Sequence, residues 1–160
     1  MFTFKDMPSY SRVWIYQSNR EFTSSEVELI KNKSKEFVEQ WTSHDQLMKA
    51  CIETFHNRFI VVYVDEKTAP ASGCGIDKSV KFIQQLEQDF GISLMDRNIA
   101  TYRINGKISS CILQELKNSL PEDEGWGGAS VFNNLVQTKE ELEKNWEVPL
   151  EKSWHKQVLT

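Results

Sequence analysis

The sequence predicts an α+β fold in which one mostly antiparallel sheet is covered by helices on one face. Three observations lead to this expectation, the first being a length of 160 residues, which suits one domain with its own core. Short β-branched and aromatic runs alternate with helical periodicity along the chain. Turn signals such as Asn105-Gly106 separate neighbouring strand runs, and hairpins of this kind pair strands antiparallel. We therefore expect residues 1–160 to form a single α+β domain.

The first half of the chain predicts the element order β-α-β-β-α. Thr23 and Glu26 have the spacing of a capping box at the start of a helix. His56-Asn57 separates two strand runs and suits a hairpin turn, because asparagine tolerates positive φ. Gly91 follows the second helical stripe as its expected C-terminal cap. The expected elements are a strand at 12–17, a helix that begins at 24 and ends near 42–45, strands at 48–55 and 58–64, and a helix at about 76–90.

The second half adds a hairpin, a short helix, a strand and a last helix. Pro121 ends the short helix, and Thr138 with Glu141 repeats the capping-box spacing. The expected elements are strands at 98–104 and 107–111, a helix at 113–120, a strand at 130–136 and a helix at 139–146. The first six elements of the chain follow the order of a ferredoxin-like βαββαβ unit, which the later elements extend with a C-terminal hairpin and helix.

The composition excludes several classes of function. Lys and Arg number 19 against 23 Asp and Glu, so the net charge is −4, whereas a dedicated nucleic-acid binder needs a basic face. No apolar run reaches the ~20 residues of a membrane helix, so we expect no membrane insertion. The first ten residues lack the basic and apolar regions of a signal peptide.

The cysteines and histidines limit the chemistry further. Cys51, Cys74 and Cys111 are an odd number at wide spacing, which indicates a reducing, cytoplasmic compartment and not a disulfide framework. The three histidines have no HExxH or CxxC companions. We therefore expect neither a metal site nor a cofactor.

One segment, between the strand expected at 58–64 and the helix expected at 76–90, has the features of a ligand site. Its two glycines let the backbone approach a ligand closely. The helix start offers unpaired N–H groups and a positive dipole end, which suit an anion. We predict that a small anionic ligand, or an acidic peptide group, is bound by Ser72, Gly73, Cys74, Gly75, Asp77, Lys78 and Ser79. The polar candidates to join this pocket from elsewhere are His44, Asn133, Asn134 and His155.

Two alternatives stay open. In the first, Cys74 is the nucleophile or redox thiol of an enzyme, because thiols at helix starts are commonly activated, and His44 is the first choice of base, with His155 the second. In the second, the Gly-Cys-Gly turn is only structural and the chain is an interaction protein or homodimer. Trp126 and Trp154, in loop-like segments, would then serve the partner surface.

The asparagine pair is unusual for a predicted strand. Side chains alternate between the faces of a strand, so either Asn133 or Asn134 should point toward the core. A buried amide needs hydrogen-bond partners, which favours a structural role over ligand binding.

Seven motifs are distributed over nearly the whole chain. They are SRVWIYQ at 11–17, WTSH at 41–44, NRF at 57–59, ASGCGIDKS at 71–79, VFNNLV at 131–136, WEVP at 146–149 and SWH at 153–155. Together they resemble a family of short soluble proteins, found chiefly in Bacteroidetes, that often carry the label "ABC transporter ATPase". Gly75 departs from the family pattern, in which serine is common at this place.

The residues themselves do not support ATP hydrolysis. A Walker A loop requires GxxxxGK followed by Ser or Thr. The one Gly-Lys pair, Gly106-Lys107, lacks the earlier glycine, since Thr101 stands there, and Lys78-Ser79 follows an aspartate. An LSGGQ-like signature is also missing from the sequence. The resemblance thus supports the choice of motif residues and implies no particular chemistry.

Overall fold

The computed structural model describes residues 3–67, 69–123 and 126–159. Within these ranges the chain has the predicted α+β fold, with four α-helices and three antiparallel sheets. The elements are β1 (Arg12–Gln17), α1 (Ser24–Gln40), β2 (Thr42–Ser43), β3 (Gln46–Leu47), β4 (Ala50–Phe55), β5 (Phe59–Val64), α2 (Gly73–Phe90), β6 (Ile99–Ile104), β7 (Lys107–Ile112), α3 (Leu116–Ser119), β8 (Ser130–Phe132), α4 (Lys139–Asn145) and β9 (Glu147–Pro149). Short 3₁₀ segments lie at Phe4–Asp6, Leu113–Glu115, Trp126–Gly128, Leu150–Lys152 and Trp154–Leu159.

Strand β5 lies at the centre of the fold. It pairs antiparallel with β1 on one side and β4 on the other, and all six of its residues are buried. Because side chains alternate along a strand, Ile60 and Val62 join the clusters formed with α1 and α2. Phe59 and Val61 pack on the opposite side, against Phe132 of β8. Because both faces of β5 are packed against other parts of the protein, every position of the strand is apolar.

The two long helices cover one face of this first sheet. Helix α1 begins with the predicted capping box, in which Thr23 Oγ1 accepts the Glu26 N–H at 3.1 Å and Glu26 Oε1 accepts the Thr23 N–H at 2.9 Å. Helix α2 ends at the predicted cap Gly91, whose φ is 60°. The rings of Phe37 and Phe82 stack between the helices, with centroids 4.6 Å apart.

The second sheet has the strand order β7-β6-β8-β9 and its own apolar cluster. Val131 of β8 and Leu116 of α3 are fully buried in that cluster. The two sheets are joined by polar contacts, one of which runs from Gln17 Nε2 in β1 to the Ile99 carbonyl at 2.7 Å. The third sheet is the small β2–β3 hairpin.

The single sheet and its ferredoxin-like arrangement are not confirmed, because the strands form three sheets. The outer edge of β1 is already occupied. There the Val13 N–H donates to the Gln137 carbonyl at 2.9 Å, and Arg12 forms an antiparallel bridge with Thr138. Strand β6 pairs with β7 and β8 in the second sheet.

Several predicted boundaries also differ from the structure. The first helix ends at Gln40, earlier than expected. The residues at its expected end belong instead to the β2–β3 hairpin, which turns at His44 and Asp45 with φ of 52° and 63°. The strand expected at 130–136 ends at Phe132, and the helix expected at 113–120 is a 3₁₀ turn followed by α3. Among the described helices, none combines the length and hydrophobicity that a bilayer crossing requires.

Candidate functional site

The predicted loop at residues 72–79 forms the first turns of α2, which begins three residues earlier than expected. Ser72 is the N-cap, and its Oγ accepts the Gly75 N–H at 3.2 Å. Gly73 and Cys74, which follow the cap, are exposed. The exposed thiol thus lies at a helix start, as the sequence predicts.

The β2–β3 hairpin packs directly on this helix start. Ser43 Oγ lies 2.5 Å from Ser72 Oγ, and Trp41 Nε1 donates to the Gly75 carbonyl at 2.9 Å. A Cβ atom at Gly75 would lie 3.3 Å from Ser43 Cβ, closer than most such contacts. Gly75 is therefore needed for the approach of the hairpin, a contact within the protein. His44 is exposed in the turn of the same hairpin.

The remaining polar groups of the loop mostly bond the protein itself. Lys78 Nζ donates to the Thr42 carbonyl at 3.2 Å, and Ser79 Oγ donates to the Ile76 carbonyl at 2.7 Å. Asp77 is exposed. The hairpin and the helix start form one rigid unit through these bonds.

The asparagine pair belongs to the second half of the fold. Both side chains are half-buried in the turn after β8, and Asn133 Oδ1 accepts the Leu135 N–H at 3.1 Å. Asn134 Oδ1 accepts from Trp146 Nε1 at 2.9 Å. Among the described residues, no hydrogen bond of this pair reaches residues 72–79. Both amide oxygens are thus used in hydrogen bonds within the protein, as the structural role favoured by the sequence requires.

His155 is only 2% exposed. Its Nδ1 lies 2.6 Å from Ser153 Oγ, and its ring stacks on Trp154 at a centroid distance of 3.7 Å. Burial lowers the pKa of His155 to about 4. In the described part of the chain, no contact of this ring leads to Cys74. Trp126 packs against the core of the second sheet and is, like Trp154, half-buried.

The structure contains a cleft that the sequence does not predict. Its volume is about 690 Å³, and it lies where the β4–β5 turn, the β6–β7 turn and the segment after β1 meet. Its lining residues are Asn19, Arg20, Glu21, His56, Asn57, Arg58, Gly106, Lys107, Ile108, Ser109 and Ser110. Such a volume is typical of a small-molecule site.

Two tight hairpin turns shape this cleft. His56 and Asn57 have φ of 55° and 54°, and Asn105 and Gly106 have φ of 51° and 79°. Positive φ at both central residues is the geometry of a type I′ turn, whose twist matches that of the strands. Each turn is visible in the sequence, but the meeting of the two turns is not.

The cleft has an excess of positive charge. It is lined by three basic side chains, Arg20, Arg58 and Lys107, and by one carboxylate, Glu21. Glu26 pairs with Arg20 through two N–O distances of 2.7 Å, so the excess comes from Arg58 and Lys107 against Glu21.

Arg58 keeps most of its donors free. Its Nη1 donates to Ser110 Oγ at 3.1 Å. Within the described ranges, the other N–H groups of this guanidinium make no hydrogen bond. Arg58 is thus anchored through one nitrogen and retains donors for a ligand.

The aromatic ring of His56 lines the cleft beside these cations. Its ring centroid lies 5.3 Å from that of Phe132 and 5.8 Å from that of Trp146. Desolvation by these surroundings lowers the pKa of His56, and the positive charge of Arg103 lowers it further, against an opposing effect of Glu147. The neutral imidazole is therefore favoured, and it can both donate and accept.

A smaller pocket of about 260 Å³ lies between α1 and α2. Its charged lining has both signs, and Lys33 forms an ion pair with Asp89 at 3.3 Å. With one lysine against two carboxylates, this pocket lacks the positive excess of the larger cleft. In the described residues, no group of histidine, cysteine and carboxylate side chains has an arrangement that could hold a metal ion.

Comparisons with known proteins give no relative for this chain. No family model matches it, and neither the curated proteins nor the solved structures provide a match. The family resemblance stated from the motifs stays a prediction.

Proposed function

We propose that the protein binds a small, strongly polar anion in the cleft between its two hairpin turns. The observation that carries this proposal is the anchored Arg58 guanidinium, which lines the cleft together with Lys107, against the one lining carboxylate of Glu21. This local excess stands out in a chain whose net charge is −4. Guanidinium groups with free N–H donors are well suited to phosphate and carboxylate groups.

The lining also indicates the rest of the ligand. Hydroxyls and amides from Ser109, Ser110, Asn19 and Asn57 surround the cations, and Ile108 is the one aliphatic side chain among the lining residues. Such a wall favours a hydroxyl-bearing ligand over an apolar one. The ligand class is therefore a phosphorylated polyol or sugar, or a hydroxycarboxylate, bound through its anionic group.

One titration tests where an anion binds. Inorganic phosphate and glycerol 3-phosphate are added separately to ¹⁵N-labelled protein at low salt, and backbone amide shifts are followed. We expect saturable shifts at Asn57, Ser109 and Ser110, with tighter binding of glycerol 3-phosphate. Shifts confined to Gly73 and Cys74 would instead support the helix-start site predicted from the sequence. Absence of saturable shifts with both ligands would contradict the proposal.

Substitution of Arg58 provides the matching genetic test. Arg58→Gln should weaken binding by at least about tenfold, because a hydrogen bond to a charged group contributes roughly 1.5–3 kcal/mol. Arg97→Gln is the matched control, since Arg97 is exposed and does not line the cleft. Isothermal titration calorimetry compares the two variants with the parent. Equal losses in both variants would show a general charge effect and not a site.

The other sequence-based hypotheses remain proposals beside this one. A ligand at residues 72–79 draws support from the exposed start of α2, and the Cys74 enzyme from the exposure of its thiol. The free state of Cys51, Cys74 and Cys111 fits a cytoplasmic location. A homodimer is tested directly by light scattering on the purified chain.

A further inference from the structure

We infer that the buried hydroxyl of Thr101 positions the Arg58 guanidinium for anion binding, through a chain of hydrogen bonds that all run in one direction. This inference rests on the proposed function for its ligand. It goes beyond that function because Thr101 does not line the cleft. Thr101 is a positioning residue and touches no ligand itself.

The chain of hydrogen bonds crosses from the cleft to the first sheet. Arg58 Nη1 lies 3.1 Å from Ser110 Oγ, and Ser110 Oγ lies 2.9 Å from Thr101 Oγ1. Thr101 Oγ1 lies 2.9 Å from Gln17 Oε1. Gln17 Nε2 completes the chain by donating to the Ile99 carbonyl at 2.7 Å.

Each direction in this chain follows from the number of protons available. The Gln17 amide nitrogen donates to a carbonyl, so its oxygen faces Thr101 and can only accept. Thr101 has one hydroxyl proton and gives it to Gln17. Ser110 must therefore donate its own proton to Thr101, which leaves a Ser110 lone pair to accept from Arg58.

Burial makes this arrangement stable. Thr101 is only 1% exposed, so water cannot easily replace its partners. Arg58 and Ser110 are half-buried at the cleft wall. The chain thus holds one guanidinium nitrogen in place while the remaining N–H groups stay free for the ligand.

Removal of the Thr101 hydroxyl should release Arg58. In Thr101→Val the Ser110 proton loses its acceptor, so the hydroxyl can turn its proton toward the Arg58 guanidinium, which cannot accept it, and the Arg58–Ser110 hydrogen bond is weakened. Thr101→Ser retains the hydroxyl and should restore the chain. Ser34→Ala is the matched control, because Ser34 is also buried and its Oγ has no hydrogen-bond partner among the described residues.

Two measurements test the inference on the full chain. Calorimetry gives the dissociation constant of glycerol 3-phosphate, and ¹⁵N NMR of the guanidinium gives the rotation and exchange rates of Arg58 without ligand. We expect Thr101→Val to weaken binding by roughly two- to tenfold, the range for loss of a neutral hydrogen bond, and to speed Arg58 exchange. Thr101→Ser and Ser34→Ala should match the parent in both. If Thr101→Val does not fold, Thr101→Ala replaces it with the same expected results.

The outcomes separate this inference from the proposed function. Parent-like affinity and parent-like Arg58 exchange in Thr101→Val would overturn the inference and leave the anion site intact. If the parent binds no anion, the proposed function fails, and the ligand-positioning inference is overturned with it. Faster Arg58 exchange in Thr101→Val would then show only a structural restraint. If binding is weakened in Thr101→Val and is parent-like in Thr101→Ser, the result supports both the anion site and the positioning role of Thr101.

Discussion

The three histidines show how strongly the surroundings decide the chemistry of one residue type. His44 is exposed in the turn of the β2–β3 hairpin, and His56 lies against the Phe132 and Trp146 rings at the cleft. His155 is buried and bonded to Ser153. The sequence selects His44 and His155 as candidates and passes over His56. Its position in the cleft depends on aromatic residues far away in the chain.

His155 should make the stability of the protein depend on pH. Its pKa of about 4 lies below the ordinary 6.5 of histidine, so protonation favours the unfolded state. The free energy of unfolding is therefore at its full value above pH 6.5 and falls as the pH drops from 6.5 toward 4. The pKa difference limits this loss of unfolding free energy to about 3 kcal/mol.

Urea unfolding at pH 7 and at pH 4.5 checks this prediction. His155→Gln should reduce the difference in unfolding free energy between the two pH values. Part of the difference should remain in His155→Gln, because the pKa of His56 is also lowered and its protonation likewise favours the unfolded state. An unchanged pH dependence in His155→Gln would contradict the assignment.

Cys74 should be the first cysteine to react with iodoacetamide. Cys51 is buried, with its thiol pKa raised to about 12, chiefly by desolvation, and the pKa of Cys111 is also raised chiefly by desolvation. Cys74 is exposed. Peptide mass spectrometry after brief alkylation at pH 8 measures the order. Reaction of Cys74 far faster than that of a model peptide would support the enzyme alternative, whereas preferential labelling of Cys51 would contradict the structure.

At the scale of elements, the contact between the β2–β3 hairpin and the start of α2 depends on one glycine. Gly75 is buried against Ser43, whereas at Gly73, in the same turn of the helix, no atom of the described residues lies within 4 Å of an added Cβ. The two positions thus have the same local sequence setting and different tertiary surroundings. They form a matched pair for mutation.

Gly73→Ala should raise stability by about 0.4–1 kcal/mol, because alanine loses less backbone entropy on folding. Gly75→Ala should be less stable than Gly73→Ala by about 1 kcal/mol, since its Cβ displaces Ser43 by a few tenths of an ångström. Thermal unfolding measures both, and amide shifts at 42–47 should move only in Gly75→Ala. Equal stabilisation by the two substitutions would show that the hairpin is not tightly packed there.

At the scale of the whole molecule, the cleft lies at the boundary between the two larger sheets. One wall is the β4–β5 turn of the first sheet, and the other is the β6–β7 turn of the second. The Gln17–Thr101 contact joins the same two sheets beneath it. A ligand bound across the cleft would therefore contact both halves of the fold, which explains why no single motif in the sequence marks this site.

Most of the local structure was predictable from the sequence. The capping box of α1, the Thr138 N-cap of α4, the Gly91 cap, the hairpin turns and the apolar run of β5 all depend on residues within a few positions of each other. The second expected capping box is only half formed, because Glu141 Oε2 accepts the Gln137 N–H. Sheet membership was not predictable in this way. It depends on which edges are already occupied, and the segment at 137–138 that occupies the edge of β1 lies more than a hundred residues away along the chain.

The sequence by itself determined the α+β class, most element positions, and which residues carry reactive or charged groups. Only the tertiary structure decided that β6 lies in a separate sheet, that Ser72 and Lys78 bond the protein itself, and that Arg58 meets Ser110 across a cleft. The physical reason is the range of the interactions. Turns and helix caps are local, whereas pairing of strands and the convergence of charges join residues separated by many positions along the chain.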